Sequence, residues 1–276
     1  MPGGLRRWWT PLLLALALLA GALLRWPVLA ANPFHEDEAL YSTWALQVAS
    51  GQDPWLLSAY VDKPPLHIYL LAGLFRLWGP SAPLARLPGF VAGLGSILCL
   101  YGLGARLYGQ RTGLLAAGFL ALSPFHISLS GTAFTDSLLV FWLLAALWAG
   151  VSGRWGGAGL MLGLAASTKQ HGLLFIPLLL ALALLTPAAL RRVRRRVVPA
   201  LPAGGALSIG WVGAAPAAGE RAWRSRLASL ALGFLAPMAV TTWWDVQRWT
   251  IRPSYFDRSL TAYGGLRLNT WAEFVE

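Results

Sequence analysis

Phe34-His35-Glu36-Asp37-Glu38-Ala39-Leu40-Tyr41 sets three consecutive carboxylates into a chain that is apolar on either side of them, and Val61-Asp62-Lys63-Pro64-Pro65-Leu66 follows. Together these two segments hold most of the acid found before residue 100 and one of only two lysines. Charge in such surroundings needs a partner or a purpose. The flanking apolar runs read as membrane helices, so both segments belong at one membrane surface and the fold is an all-α polytopic membrane protein.

Composition supports that class. Of 276 residues, 57% are hydrophobic and 12% charged, with a mean hydropathy of +0.57, more apolar surface than a soluble fold of this size hides. Fifteen tryptophans suit helix ends at the lipid boundary, and thirty glycines suit close helix packing in lipid. A net charge of +11 could indicate nucleic acid, but the positive residues fall in short runs between apolar stretches, as membrane topology demands. Cys99 stands alone in an apolar run, which excludes an intrachain disulfide and a cysteine metal site and leaves a buried helical thiol.

Working outward, residues 9 to 29 follow Arg6 and Arg7 and, at about 1.5 Å per residue, reach roughly 30 Å, enough to cross a bilayer. The arginines put the N-terminus in the cytoplasm. Val28-Leu29-Ala30 also resembles a signal-peptide cleavage site, but Arg25 interrupts the run and further spans follow. Residues 30 to 82 form the first exterior loop. It holds a helix from near Asp37 toward Ser50, ended by Gly51 and Pro54, and an apolar stretch from Pro65 to Gly79 too short to span, read as a helix along the membrane face.

Further spans fall at residues 83–108, 113–130, 137–150, 155–168, 172–185 and 227–243, making about seven in all. Arg106, Arg111, Arg154 and the run Arg191-Arg192-Val193-Arg194-Arg195-Arg196 mark the cytoplasmic side, with a turn at Thr168-Lys169-Gln170-His171 outside. Residues 188–226 read as a cytoplasmic loop and 244–276 as an exterior segment, all within one domain spanning 1–276.

Charges not used to draw this topology bear on it. Glu36, Asp37, Glu38, Asp53, Asp62, Asp136, Asp245, Asp257, Glu273 and Glu276 all fall outside, leaving Glu220 inside. Lys63, Lys169 and the histidines His35, His67, His126 and His171 fall outside as well. Acid contributes little to orientation, so its clustering there points to chemistry on that face.

Three consecutive acids on a helix point about 100° apart and cannot all serve one site. A carboxylate among Glu36, Asp37 and Glu38 can act as the base for an acceptor attacking a sugar; the alternative is a helix start, where acids favour the positive end of the dipole. Lys63 stands before two prolines, which hold the chain extended and present its ammonium from a stiff support. An opposite charge at about 4 Å is worth on the order of 4 kcal/mol at an effective dielectric near 20, enough to matter for a phosphate leaving group. Snorkelling to headgroups is the alternative. Arg86 and Lys169 are similar candidates, whereas Arg76 reads as a headgroup anchor. Asp136 precedes an apolar run and is either a helix N-cap or an inward-facing acid. His35, His67 and His171 could supply a metal ligand or simply pack and hydrogen-bond, and no H-E-x-x-H spacing is present. No Gly-rich phosphate loop, serine nucleophile elbow or D-x-D nucleotide-sugar motif occurs, which argues against a nucleotide-diphosphate donor.

The order Asp37-Glu38-Ala39-Leu40-Tyr41, Lys63-Pro64-Pro65-Leu66, Leu77-Trp78-Gly79 and Ala85-Arg86-Leu87-Pro88 resembles the N-terminal half of GT-C glycosyltransferases of family 39 type, which include the protein O-mannosyltransferases and the lipid A aminoarabinose transferases. Thr135-Asp136-Ser137-Leu138-Leu139, Thr168-Lys169 and Tyr263-Gly264-Gly265-Leu266 extend the likeness over most of the chain. Each piece alone is weak, and the ordered set is the specific signal. The resemblance implies a multi-span enzyme of the plasma membrane that moves a sugar from a polyprenyl-phosphate donor to a lipid, glycan or protein acceptor on the exterior face. It implies Asp37 as the acceptor-activating acid with Glu38 beside it, Asp136 as an acid of the second exterior loop, and Lys63 as the contact to lipid phosphate. Arg86, Lys169 and Tyr41 join the substrate side. Some relatives bind a divalent metal near this site, for which no ligands are assigned. Two departures stand out: relatives carry further spans after the seventh, so this chain reads as a short or truncated member, and His35-Glu36 before the Asp-Glu pair leaves open which acid is the base. A lipid-linked sugar transporter and a non-catalytic membrane subunit are the rival readings.

Overall fold

The computed structural model describes residues 6–31, 33–185, 220–248 and 253–261, and among these every regular element is helical. Helix α1, Arg6–Ala31, opens the chain. Next come α2, Glu36–Ala49, and α3, Leu66–Trp78, in the first loop, then α4, Ala82–Tyr108. After α5, Gln110–Leu122, and α6, Pro124–Ser130, follow α7, Thr135–Val151, and α8, Trp155–Thr168. A 3-10 turn, Gln170–Phe175, leads into α9, Ile176–Leu185; α10, Glu220–Val246, and α11, Tyr255–Thr261, complete the described part.

The turns follow from local chemistry. Gly109 is the sole residue between α4 and α5 and adopts φ +97°, and Gly153 turns α7 into α8 at φ +82°; both lie where a Cβ is strained. Pro124 cannot donate to the Leu120 carbonyl, and the helix breaks there, so α6 leaves α5 at 63°. The expected span 113–130 is thus a bent pair beginning at Gln110. The expected outer turn at 168–171 narrows to Lys169, the one extended residue between α8 and the 3-10 turn.

Among the described residues, three helical segments can cross a bilayer by length and apolarity: Trp9–Leu29, Ala82–Tyr108 and Trp223–Val246. The bent α5–α6 pair makes a fourth if it is one span. The other stretches expected to span are shorter: Thr135–Val151 has 17 residues and α8 only 14, about 21 Å of helix against the roughly 30 Å of hydrocarbon. Helix α10 starts at Glu220 rather than 227, which trims the expected cytoplasmic loop, and residues 244–246 remain helical. The basic run 191–196, the rest of that loop through 219, and Tyr263-Gly264-Gly265-Leu266 lie outside the described residues.

Small residues set the closest helix contacts. Gly156, Gly159 and Gly163 of α8 face α10, where a Cβ built on Gly159 would lie 2.0 Å from the Leu230 carbonyl oxygen and one on Gly163 would lie 2.3 Å from Pro237. Thr241 donates to Ser167 across the same seam at 2.8 Å. Beside this seam Leu139, Leu143, Leu162, Leu179 and Leu230 form one core. A second core joins the first loop to the end of α10: Tyr41, Trp44, Leu56, Val61, Leu71 and Phe75 pack with Trp244 and Tyr255. Helix α3, expected along the membrane face, buries Ile68, Leu71 and Phe75 in this core while Leu77 and Trp78 stay exposed.

That second core brings the N-termini of α4 and α7 to the C-terminus of α10 through Ala85, Ala133 and Trp244, while the Arg86 bond to the Leu29 carbonyl and the Lys169–Asp136 pair bring in the C-termini of α1 and α8. Arg106, Arg111 and Arg154 lie at the opposite ends of their helices.

The α8–α10 contact has a direct consequence. Gly159→Val should cost about 1–3 kcal/mol or more, because the added carbons meet backbone that cannot yield, and should lower the melting temperature in detergent. Gly118→Ala, whose Cβ would meet nothing within 4 Å, should leave melting unchanged.

Candidate active site

The site grows from the start of α2. His35 is extended and caps the helix: its Nδ1 accepts the Asp37 amide at 3.3 Å while the Glu38 carboxylate accepts the His35 amide at 2.9 Å. This reciprocal cap fixes which way each of the three acids faces. Glu38 turns inward and is 1% exposed, whereas Glu36 and Asp37 remain exposed.

Inside, Glu38 meets Arg86 of α4, itself fully buried. Arg86 Nε donates to Glu38 Oε1 at 2.8 Å and Nη2 to Oε2 at 3.1 Å, the fork geometry of a strong carboxylate pair. Arg86 also donates to the carbonyls of Leu29 and Pro33 and lies over the Phe34 ring. Glu38 Oε1 accepts one more bond, from the Ala133 amide at 2.8 Å. Burial alone would raise the Glu38 carboxyl; the Arg86 guanidinium and the His35 and Ala133 amides outweigh it and hold it below the usual carboxylate range. Glu38 and Arg86, expected on the catalytic and the substrate side, are therefore bonded to each other and to the backbone around them.

Ala133 belongs to the turn between α6 and α7, and its carbonyl is held too. His67 Nε2 donates to it at 2.8 Å, and His67 is fully buried in the first turn of α3. The turn is thus gripped by α2 through the amide and by α3 through the carbonyl. The His35 ring adds an edge contact to Phe134.

Asp136 follows three residues later, in the first turn of α7. The cap position is Phe134, without a side-chain cap bond, so Asp136 is not the N-cap. Its carboxylate instead accepts Lys169 Nζ at 2.7 Å from the end of α8, with both side chains part-exposed. Lys63 pairs with Asp62 and keeps only a sliver of exposure. The His171 ring lies within electrostatic reach of Lys169, Asp136 and Lys63, which places all four in one neighbourhood. The α6–α7 turn is thus bonded to Glu38 and His67 and leads on to the Asp136–Lys169 pair, with Asp37 next to Glu38 at the start of α2 and Lys63 on the segment that leads into His67.

Tyr41, expected on the substrate side, is core instead: it is buried, edge-on to His67 and tilted against Trp44. His67 and His35 bond the backbone rather than gathering as ligands. Among the described residues no three His, Cys, Asp or Glu side chains come together to hold a metal ion. The role of Ala133 had no signal in the sequence, since its contribution is backbone alone.

The comparisons with known proteins follow this geometry. A family model described as dolichyl-phosphate-mannose-protein mannosyltransferase matches residues 62–212, which include Lys63, Arg86, Asp136 and Lys169 and begin after Asp37 and Glu38. Two proteins of Bacillus subtilis strain 168, provisionally named as mannosyltransferases YkcB and YycA, are each 33% identical, over 88 and 84 residues. The aligned stretches cover 32% and 30% of this chain and span 12% of the length of each relative. No solved structure matches the chain.

The buried pair can be tested through stability. Arg86→Ala strands a charged carboxylate and should cost about 3–5 kcal/mol, whereas the double change Glu38→Leu with Arg86→Met should cost less than either single change. Because Glu38 titrates below an exposed glutamate, its contribution is complete above the ordinary glutamate range and is lost as the pH falls through its own lowered value. Melting followed by tryptophan fluorescence should accordingly show an acid-side loss that is absent from the double variant.

Proposed function

Because the chain belongs to the dolichyl-phosphate-mannose-protein mannosyltransferase family, we propose that it transfers a sugar from a polyprenyl-phosphate carrier to an acceptor on the non-cytoplasmic face of the plasma membrane. The observation that supports this reading is that Lys63 and Lys169 share one neighbourhood with Asp136, which follows the α6–α7 turn, while α2, which carries the exposed Asp37, is bonded to that turn through Glu38. Arg106, Arg111 and Arg154 occupy the other ends of their helices. By the positive-inside rule those arginine ends face the cytoplasm, so the acid-and-lysine end faces outward.

The residues divide the chemistry by exposure. Asp37 is the one acid of its adjoining pair that can meet an acceptor, since both oxygens of Glu38 already carry donors. Asp37 takes the proton from the acceptor hydroxyl as that oxygen attacks the anomeric carbon, and the bond from that carbon to the phosphate oxygen breaks on the opposite face. The configuration inverts and the lipid phosphate leaves with the electron pair. Lys63 and Lys169 each have a carboxylate partner in the resting protein, Asp62 and Asp136, so a phosphate entering between them exchanges one anion for another. Glu38 and Arg86 hold the two sides of the site in register. The proposal extends to the polyprenyl-phosphate class of donor.

Transfer of radiolabelled sugar from a polyprenyl phosphate by the purified chain tests this. Asp37→Asn should lower kcat by about 10²–10⁴-fold, the range of a lost general base, with donor KM little changed. Lys63→Ala should act mainly through the donor. Full turnover in Asp37→Asn would remove the assigned base, and movement of intact lipid-linked sugar across vesicles without transfer would replace the enzyme by a transporter.

A further inference from the structure

Two chain segments carry the lysines assigned to the phosphate, and a side-chain bond from His67 ties the first of them to the turn that governs the second. Lys63, Pro64 and Pro65 lead directly into α3, and the two prolines leave this stretch little freedom. His67 sits in the first turn of that helix, fully buried, so its position is fixed relative to Lys63. Its Nε2 donates to the Ala133 carbonyl at 2.8 Å, across 66 residues of sequence. A carbonyl can only accept, so Nε2 carries the proton. From Ala133 the chain passes through Phe134 into α7 and reaches Asp136, which holds Lys169. The Glu38–Ala133 bond fixes the same turn from α2, but it says nothing about the Lys63 segment.

Packing holds the ring in place. Tyr41 meets it edge-on at 5.9 Å, and the neighbouring Ile68 and Leu71 are buried in the loop core. An aliphatic side chain could fill the same space. What it could not do is fix the Ala133 carbonyl.

We propose that His67 is a positioning residue that sets the separation between Lys63 and the Asp136–Lys169 pair, and so the width of the cradle for the donor phosphate. The inference rests on the transferase reading for its ligand, while the bond itself does not. His67 touches neither reacting atom; it acts through Ala133.

The full chain in nanodiscs allows two independent readouts. Nitroxides on Leu70→Cys of α3 and Ser128→Cys of α6, both exposed positions, report the distance between the two elements, and the sole native cysteine, Cys99, is buried. The wild-type background should give a narrow distance distribution. His67→Leu should broaden or shift it and should weaken polyprenyl-phosphate binding, or raise donor KM, roughly tenfold, a displacement effect rather than loss of a reacting group. His67→Gln, whose amide can still donate to the Ala133 carbonyl, should restore both. A purely packing role predicts the reverse order, with leucine tolerated better than glutamine. The proposal is overturned if His67→Leu keeps the narrow distribution, or if it alters the distance with donor binding unchanged. If the wild-type chain binds polyprenyl phosphate without transferring sugar, the transferase reading fails while the distance and binding measurements still judge His67.

Discussion

A carboxylate and a guanidinium removed from water must satisfy each other, and Glu38 and Arg86 do so completely enough to organise one end of this protein. The backbone groups they bond come from three pieces of chain: the end of α1, the lead into α2, and the turn before α7. Burying such a pair is costly, and truncating one partner leaves the other unpaired in an apolar setting. The backbone groups around it therefore have few alternative arrangements. This constraint converts three weak local features, a helix cap, a loop and a helix N-terminus, into one fixed assembly.

The same logic recurs without a carboxylate. Arg25 lies on α1 in the middle of an apolar run, yet it is fully buried. It donates to the carbonyls of Gly21 and Ala121, to Ser130 Oγ at 2.8 Å and to His126 Nδ1 at 2.6 Å, with a longer contact to the Leu120 carbonyl. Of these, the Leu120 and Ala121 carbonyls lie in the last turn before the break at Pro124, so the arginine bonds carbonyls that a continuing helix would have satisfied with backbone amides. At the other side, Arg248 donates to the carbonyls of Leu56 and Ala59 and stacks on Trp244. Leu56 has φ +55°, a conformation costly for leucine, and its carbonyl is held there by two bonds from Arg248. Arginine suits this work because its fork carries several donors at fixed angles.

What could be read from the sequence divides along a physical line. Apolar length and basic punctuation are local, so α1, α4 and α8 appear close to where they were expected, and Gly51 ends α2 as its conformation requires. The bend after Ser123 was harder, because a proline inside an apolar run reads as continuous span until the partner that completes its carbonyls is known. The roles of the acids were only partly legible. Consecutive acids announce that they must diverge, but which of them turns inward depends on an arginine 48 residues away and on a backbone amide 95 residues away. Tyr41 was assigned by its place in a motif, and packing against His67 and Trp44 put it in the core.

These divergent fates of adjacent acids also limit what chemistry is available. A base needs an open lone pair and a way to release its proton, whereas a structural carboxylate needs the opposite. Glu38 has every oxygen occupied and is held ionised below the usual range, so acquiring a proton would break the assembly that gives the site its shape. Asp37 owes its exposure to the same cap that turns Glu38 inward, because on a helix the two side chains lie about 100° apart. One short segment thus separates the duties of holding and reacting, and the His35 cap that sets the rotation of α2 makes the separation possible.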